Sequence, residues 1–148
     1  MKEARFISLE GIEGSGKTTS LQTINKILDK QSIEHINTRE PGGSSIGNEL
    51  RELLLNKKTT ISSEVELLLM LADRKDHVDK VIKPNLNKGT WVVTDRFMDS
   101  TMAYQGGGRG LEISKIELIA GALELPVPTL TLLFDLPVNL AFQRIADR

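Results

Sequence analysis

The residues best suited to chemistry in this chain form one glycine-rich segment near its beginning. From Gly11 to Thr18 the sequence fits the pattern G-x-x-x-x-G-K-[ST] at every fixed position. Glycines adopt backbone conformations that residues with a Cβ avoid, so successive N–H groups can point at one polyphosphate. Lys17 adds a movable cation, and the Thr18 hydroxyl is a suitable Mg²⁺ ligand. The segment is therefore predicted to bind a nucleoside triphosphate.

The elements around this loop are the ones that the motif requires. A short apolar strand is predicted over residues 6–10, and Leu21, Ile24, Ile27 and Leu28 follow the loop at helical spacing. The N-terminus of such a helix faces the phosphates with free N–H groups and a partial positive charge. The order strand, loop, helix therefore predicts a phosphate-binding site at this loop.

Strand and helix signals alternate along the rest of the chain. This alternation predicts an α/β fold in which helices cover both faces of a parallel sheet. Ligands of such sheets bind beyond the carboxyl ends of the strands, where Glu10, Thr38, Asp95 and Asp135 are expected. Further strands are predicted at residues 34–38, 91–94 and 130–135. One helix is predicted to begin at an N-cap on Ser45, and others are predicted to span residues 63–86, 100–104, 114–123 and 138–148. Residues 56–60 are predicted to form a polar connector, and residues 106–110 a flexible glycine loop.

Length and composition limit the possible classes of protein. The 148 residues are the size of one domain, so a single domain over residues 1–148 is expected. The net charge of −1 gives no basic surface for nucleic acid. The absence of cysteine excludes disulfides and thiolate metal sites and fits a reducing, cytoplasmic compartment. The longest apolar run, Leu67 to Ala72, is too short to span a membrane.

A second group of polar and cationic residues indicates a second nucleotide. A switch GTPase would carry D-x-x-G after a strand and N-K-x-D later in the chain, and neither pattern is present. Arg96 directly follows Asp95 at a strand end, where a ligand, a metal ion or a structural ion pair must offset the cost of burying two charges. The group with anion-binding and base-reading chemistry comprises Glu13, Arg39, Arg51, Arg74, Arg96, Ser100, Thr101 and Gln105.

Six segments in order resemble one family. They are Glu13 in the loop, the stretches 38–43 and 50–55, Ala72-Asp73-Arg74, Asp95-Arg96-Phe97, and residues 100–110 with their Gly-rich end. With this spacing the chain resembles the bacterial thymidylate kinases. The resemblance implies a P-loop nucleoside-monophosphate-kinase fold, the reaction of ATP with dTMP to give ADP and dTDP, and a requirement for Mg²⁺.

The resemblance also implies a role for each matching residue. Glu13 would lie near the sugar 3′-hydroxyl of dTMP, and Arg39 and Arg96 would hold its phosphate. Met70 stands where many relatives place a Phe against the base; a thioether can still pack on a ring. The residues in contact with ATP would be Gly11, Ile12, Glu13, Gly14, Ser15, Gly16, Lys17, Thr18 and Thr19. Catalysis would use Lys17, Asp95 and Arg96, and Mg²⁺ would be bound by Thr18 and Asp95. The thymine edge would be read by Arg74, Thr101 and Gln105, with Ser100 and Arg51 lining the pocket.

Other interpretations of these residues stay open at this stage. Arg51 and Arg74 could be ordinary solvated cations on helices, and His35 and His77 lack metal-ligand spacing, so both histidines are predicted to be structural. A broader nucleoside-monophosphate kinase and a nucleotide-binding fragment without phosphotransfer are the alternative functions. Separate titrations with dTMP, dCMP and AMP test the first alternative, and an assay of ADP formation dependent on dTMP tests the second.

Two expectations concern assembly and the end of the sequence. The apolar run from Leu67 to Leu71 and the resemblance together favour a homodimer, with burial of that helix inside its own domain as the alternative. Family members continue with a mobile lid and a closing strand, so the sequence is expected to be a truncated kinase with low turnover. In it, the strand at 130–135 would be an unpaired edge, and Arg144 or Arg148 could partly replace a lid arginine.

Overall fold

A four-stranded parallel sheet with helices on both faces forms the body of the protein. The computed structural model describes residues 3–56 and 60–146. The strands are β1 (Phe6–Glu10), β2 (His35–Arg39), β3 (Trp91–Asp95) and β4 (Leu130–Leu133). The helices are α1 (Lys17–Lys30), α2 (Gly47–Leu55), α3 (Ser63–His77), α4 (Lys83–Asn87), α5 (Met98–Thr101), α6 (Ile113–Gly121) and α7 (Val138–Ala146).

The strand order β2-β3-β1-β4 brings the ends of β1 and β3 together at the centre of the sheet. Leu9 of β1 is in register with Asp95 of β3, and Arg39 of β2 is in register with the same Asp95. All of the pairings are parallel, which confirms the predicted α/β class. The phosphate loop and Arg96 therefore leave the sheet side by side.

Residues of β1 alternate between two hydrophobic clusters, one on each face of the sheet. Ile7 and Leu9 pack with Leu28 of α1 on one face. Phe6 packs on the other face with Val78, Ile82, Val92 and Phe97. All five residues of β1 are buried, as expected for a strand covered on both sides.

The predicted long helix is confirmed, with one irregularity. Ser62 caps α3 by accepting a hydrogen bond from Val65 N at 3.3 Å, and a π-helical turn at Val78–Ile82 joins α3 to α4. Pro84 stands in the first turn of α4, where its missing N–H is not needed. The helix ends before Gly89, which has a φ of 87°.

Two local predictions were wrong. Ser45 does not cap α2; Gly47 N instead donates to Ser44 Oγ at 3.2 Å, one residue earlier in the chain. The glycines 106–108 do not form a loop, because the chain continues from α5 in a π-helical turn, Met102–Gly108. The Cδ1 atom of Ile113 packs against Gly106, 2.5 Å from where a Cβ would lie, so a larger residue there would require the Ile113 side chain to move.

The predicted strand at the end of the chain is shorter than expected, and the predicted helix after it is present over Val138–Ala146. β4 spans four residues, although Phe134 N still donates to Glu10 O at 2.8 Å. In the described part of the chain β4 is an edge strand, with Leu133 72% exposed. Residues 57–59 of the predicted connector at 56–60, and residues 147–148 of the predicted last helix, lie outside the described residues. No helix among the described residues is long and apolar enough to cross a membrane.

Candidate active site

The glycine-rich loop joins β1 to α1 and is held between the sheet and α7. Gly11 has a φ of 144°, and a Cβ there would lie 2.7 Å from Phe134 O. Gly14 has a φ of 79°, and its Cβ would lie 2.8 Å from Ala141 O. Both contacts are too short for any side chain, so two of the motif glycines are required by packing as well as by loop conformation.

Lys17 lies inside this loop with little exposure to water. Its Nζ donates to Gly11 O at 2.9 Å and to Ile12 O at 3.1 Å, and lies 3.9 Å from Asp95 Oδ1. Burial lowers the pKa of Lys17, and the positive charge of Arg96 lowers it further. Two cations thus converge on one space, which is the arrangement that an anionic ligand stabilises.

A cavity of about 510 Å³ extends from the loop toward the end of β3. Two polar atoms beside it, Ser15 Oγ and Asp95 Oδ1, are buried and have no hydrogen-bond partner among the described residues. Buried polar atoms without a partner are uncommon, and these two can hydrogen-bond to a ligand or to water in the cavity. The cavity is lined by residues 13–19 together with Glu40, Pro41, Arg51, Leu55, Asp95 and Arg96.

The oxygen atoms near the loop fit a magnesium ion. Thr18 and Asp95 line the same cavity, and both present the hard oxygen donors that Mg²⁺ prefers. Among the residues that the structure describes, no group of three or more His, Cys, Asp or Glu could hold a metal by itself. Mg²⁺ commonly takes one or two protein oxygens and completes its shell with water and phosphate, so this donor set suits it.

Arg96 occupies a strained position directly after β3. Its φ is 75°, a left-handed conformation that is rare for a residue with a side chain and is often found at functional sites. Nη1 donates to Ser100 Oγ at 3.1 Å, and the guanidinium stacks 5.1 Å from the centre of the Tyr104 ring. The backbone and two side chains therefore fix the direction of this cation.

Glu10 supports the turn that carries Arg96, and the sequence analysis assigned it no role beyond its place at a strand end. Its Oε1 accepts from Phe97 N at 2.7 Å, and Oε2 accepts from Ser100 Oγ at 2.6 Å. Burial raises the pKa of this carboxyl, opposed by the two hydrogen bonds. An acidic residue at the end of a fully buried strand was the signal that could have identified it.

A second cavity, of about 480 Å³, opens on the other side of Arg96. The two cavities share the lining residues Glu40, Pro41, Leu55 and Arg96. Met70 and Tyr104 contribute apolar surface to the second one, while Ser100 and Gln105 contribute polar atoms. The geometry is that of two adjoining ligand sites with one arginine between them.

Arg74 lies at the floor of the second cavity with no surface exposed to water. Nε donates to Glu40 Oε2 at 2.6 Å, Nη1 to Thr101 Oγ1 at 2.8 Å and to Met98 Sδ at 3.2 Å, and Nη2 to Phe97 O at 3.0 Å. A guanidinium has five N–H donors. These four bonds leave one Nη2 donor that is not engaged within the described part of the chain.

The partner of Arg74 is itself held by a histidine. Glu40 Oε1 lies 2.8 Å from His77 Nδ1, and His77 Nε2 lies 2.6 Å from Thr38 Oγ1. Nearby, Asp73 accepts from Gly42 N at 3.1 Å, and burial raises the pKa of Asp73. Sequence reasoning treated His77 as structural and gave Glu40 no role, because only the fold brings the loop after β2 against α3.

Gln105 lies at the edge of the second cavity in a polar cluster with α3. Its Nε2 donates to Glu66 Oε1 at 2.8 Å. Arg109 donates to the same carboxylate through Nε at 3.1 Å and Nη2 at 2.7 Å. The cluster joins α3 to the π-helical turn, and the sequence contained no signal for it.

The structure brings together most of the residues that the sequence singled out, and places Thr101 and Arg39 outside the two cavities. Thr101 is fully buried behind Arg74 and does not line either cavity. Arg39 is exposed in a neighbouring hollow that also contains Thr18 and Asp95. Arg144 donates from Nη1 to Gly14 O at 3.3 Å, while Arg148 lies outside the described residues. Arg51 lines the loop cavity and donates to Pro41 O at 3.0 Å.

Comparison with known proteins gives one consistent result. The thymidylate kinase family profile matches residues 9–148. The thymidylate kinase of Carboxydothermus hydrogenoformans is 49% identical over 97% of this chain and 71% of its own length, and that of Nitrosomonas europaea is 45% identical over 100% and 72%. A crystal structure of thymidylate kinase from Ehrlichia chaffeensis superposes with a TM-score of 0.82 at 36% identity, covering 97% of this chain and 83% of that one.

Proposed function

The chain belongs to the thymidylate kinase family and phosphorylates dTMP with ATP, and from this premise we propose how its residues share the work. The observation that carries the proposal is the pair of adjoining cavities with Arg96 between them. Phosphoryl transfer needs two substrates held in line and the charge on the moving group neutralised. Two adjoining sites, one for the phosphate donor and one for the acceptor, would hold the substrates in line, and the fixed cation between them would neutralise the charge.

ATP occupies the loop cavity in this proposal. The backbone N–H groups of residues 11–19 and the N-terminus of α1 hold its phosphates, which also give the unpartnered Ser15 hydroxyl an acceptor. Lys17 turns from the loop carbonyls to the outer phosphates. Support comes from the lowered pKa of Lys17, because a cation destabilised by burial and by Arg96 gains most from a nearby anion.

dTMP occupies the second cavity, with its phosphate toward Arg96. The free Nη2 donor of Arg74 meets a thymine carbonyl, and Gln105 accepts from the ring N–H. Met70 packs on the base and Ser100 lines the pocket, whereas Arg51, which was predicted to line it, lies in the adjoining loop cavity. Thr101 acts through Arg74, which it fixes by a hydrogen bond of 2.8 Å. Arg39 reaches the phosphate from the neighbouring hollow, and Glu13 lies near the sugar.

Mg²⁺ would be held by the Thr18 hydroxyl and Asp95, which line the same cavity. When bound, the ion neutralises charge on the phosphates of ATP. Support comes from Asp95 Oδ1, a buried acceptor without a hydrogen-bond partner among the described residues. Lys17 Nζ lies 3.9 Å from the same oxygen, so the cation and the carboxylate face one space.

In the transfer step an oxygen of the dTMP phosphate attacks the γ-phosphorus of ATP. The bond from that phosphorus to the bridging oxygen breaks, and ADP and dTDP leave. Arg96 stabilises negative charge on the transferring group, and the chain Glu10–Ser100–Arg96 holds the arginine in place before the substrates arrive. No proton has to leave a carbon and no covalent intermediate with the protein is needed.

We also propose that the kinase is a homodimer that works in the cytoplasm. Support for the dimer comes from the outer face of α3, where Leu68 is 53% exposed beside a hollow lined by Ala72, Ile119 and Leu123. An exposed apolar patch of this kind marks an interaction surface. The cysteine-free sequence fits a reducing compartment.

Separate titrations with dTMP, dCMP and AMP test the proposed acceptor site. Each is mixed with ATP and Mg²⁺, and ADP formation is followed. We expect dTMP to be strongly preferred, because cytosine places a donor where thymine has an acceptor, and mismatched buried groups cost about 1–3 kcal/mol each. Equal efficiencies would contradict the acceptor site, and dTMP binding without ADP formation would indicate a module that binds but does not transfer.

A further inference from the structure

The orientation of the Gln105 amide is set by a residue outside the predicted site. Glu66 on α3 has a side chain only 15% exposed, and it accepts hydrogen bonds from both Gln105 and Arg109. The contact from Gln105 Nε2 to Glu66 Oε1 is 2.8 Å, and both residues line the second cavity. Glu66 therefore contacts the side chain that faces the base.

The chemistry of this contact permits one orientation of the amide. An ionised carboxylate can only accept hydrogen bonds, whereas an amide has a donor end and an acceptor end. Glu66 must therefore take the NH₂ end of Gln105, and the carbonyl Oε1 is the end left for a ligand. The two hydrogen bonds from Arg109 lower the pKa of Glu66, so the carboxylate remains ionised at neutral pH.

A fixed acceptor at this edge distinguishes between pyrimidines. The ring nitrogen N3 carries a hydrogen in thymine and a lone pair in cytosine. Oε1 of Gln105 can accept a hydrogen bond from N3–H of thymine, whereas it would be repelled by the lone pair on N3 of cytosine. An amide free to rotate would serve either base, because its NH₂ group could donate to the cytosine nitrogen.

We propose that Glu66 is a specificity-determining positioning residue, which holds the Gln105 amide so that the site accepts thymine and rejects cytosine. This inference rests on the proposed function, because it takes Gln105 to be a base-reading residue. It adds a residue that acts on the base through the Gln105 amide. Arg109 acts one step further away, by keeping Glu66 charged and in place.

The test replaces Glu66 with a side chain of equal size that can donate as well as accept. In Glu66→Gln the amide of Gln105 can flip, and we expect the ratio of kcat/KM for dTMP over dCMP to fall by roughly tenfold, the equivalent of one exchanged buried hydrogen bond. Most of the change should appear in KM for the nucleoside monophosphate, with KM for ATP unchanged. A purely structural role would lower both efficiencies together and leave their ratio constant.

Matched variants keep the result interpretable. Glu64→Gln removes the same charge two residues away, from an exposed ion pair with Lys115 at 3.5 Å, and should leave the ratio unchanged. Glu66→Ala carries the same expectation as Glu66→Gln and replaces it if that variant does not fold. A ratio within twofold of the parent in a folded Glu66 variant would overturn the inference.

A further variant separates this inference from the function on which it rests. Gln105→Leu removes the amide, so a fall in the ratio supports base reading by Gln105. If Gln105→Leu lowers the ratio and Glu66→Gln does not, the inference fails and the proposed function stands. If neither variant changes the ratio, Gln105 is not a base-reading residue and both fail.

Discussion

Removing the Arg74 side chain should test how strongly the buried ion pair beneath the second cavity supports the fold. The Arg74 and Glu40 side chains are 0% and 1% exposed, and their charged atoms are 2.6 Å apart. In Arg74→Leu the Glu40 carboxylate stays buried with only His77 beside it. Breaking a buried pair by removing one partner costs about 3–5 kcal/mol, because the other charge is left uncompensated.

This loss is a large part of the stability that a domain of this size has. Folded domains are stable by roughly 5–15 kcal/mol, and 1 kcal/mol shifts the melting temperature by about 2–4 °C near this length. The expected fall in melting temperature is therefore about 6–20 °C. Guanidinium unfolding followed by circular dichroism measures the free energy, and calorimetry measures the temperature.

Two further variants show whether the charge is the cause. Lys75→Ala breaks an exposed pair with Asp79 at 2.8 Å on the same helix and should cost less than about 1 kcal/mol. The double variant Arg74→Leu/Glu40→Leu removes both buried charges and should be more stable than the sum of the two single losses implies. A loss below about 1 kcal/mol in Arg74→Leu would refute the reasoning, because Glu40 would then tolerate burial without its partner.

Three other predictions concern catalysis, pH and assembly. Lys17→Ala and Arg96→Ala should each lower kcat/KM by more than about 100-fold through lost electrostatic stabilisation, and a steady-state loss under tenfold would remove that residue from its role. Burial raises the pKa of Glu10 above its ordinary value of 4.5, so the folded state binds this proton more tightly than the unfolded state. The contribution of Glu10 to stability is therefore complete below pH 4.5 and declines as the pH rises through the raised pKa. Relative to Glu10→Gln, the parent should be more stable at pH 5 than at pH 8 in urea unfolding; a difference independent of pH would contradict this. Sedimentation at micromolar concentration should give a dimer, and Leu68→Glu should give a monomer; a parent that sediments as a monomer would count against the interface.

Local patterns in the sequence predicted much of the fold. The phosphate loop was identified because its glycines and Lys17 act through the backbone of adjacent residues, so spacing alone defines it. The strands and the long helix were predicted because burial imposes a periodicity on neighbouring side chains. The errors at Ser45 and at the glycines 106–108 have different causes. Two neighbouring serines are equivalent in a sequence pattern, and it is Ser44 that accepts the local hydrogen bond from Gly47 N, whereas the packing of Ile113 beside Gly106 depends on the fold.

The partners of the site residues were decided by the tertiary structure. Arg96 was predicted from its place after a buried strand. The Ser100 hydroxyl beside it is held by Glu10, which lies 90 residues before Ser100 in the sequence. Glu40 meets Arg74 across 34 residues, and Glu66 meets Gln105 across 39. Such pairs leave no periodic signal, since a carboxylate fits a loop or a helix surface equally well until the fold surrounds it.

The sequence by itself determined the phosphate loop and the α/β class, because both follow from short-range spacing. Only the tertiary structure decided that Arg96 stands between two adjoining cavities, that Thr101 lies behind Arg74, and that one end of the Gln105 amide is occupied by Glu66. The physical reason is that hydrogen bonds and charge burial depend on distance in space. The chain brings distant carboxylates to the arginines and the amide only when the sheet and helices pack.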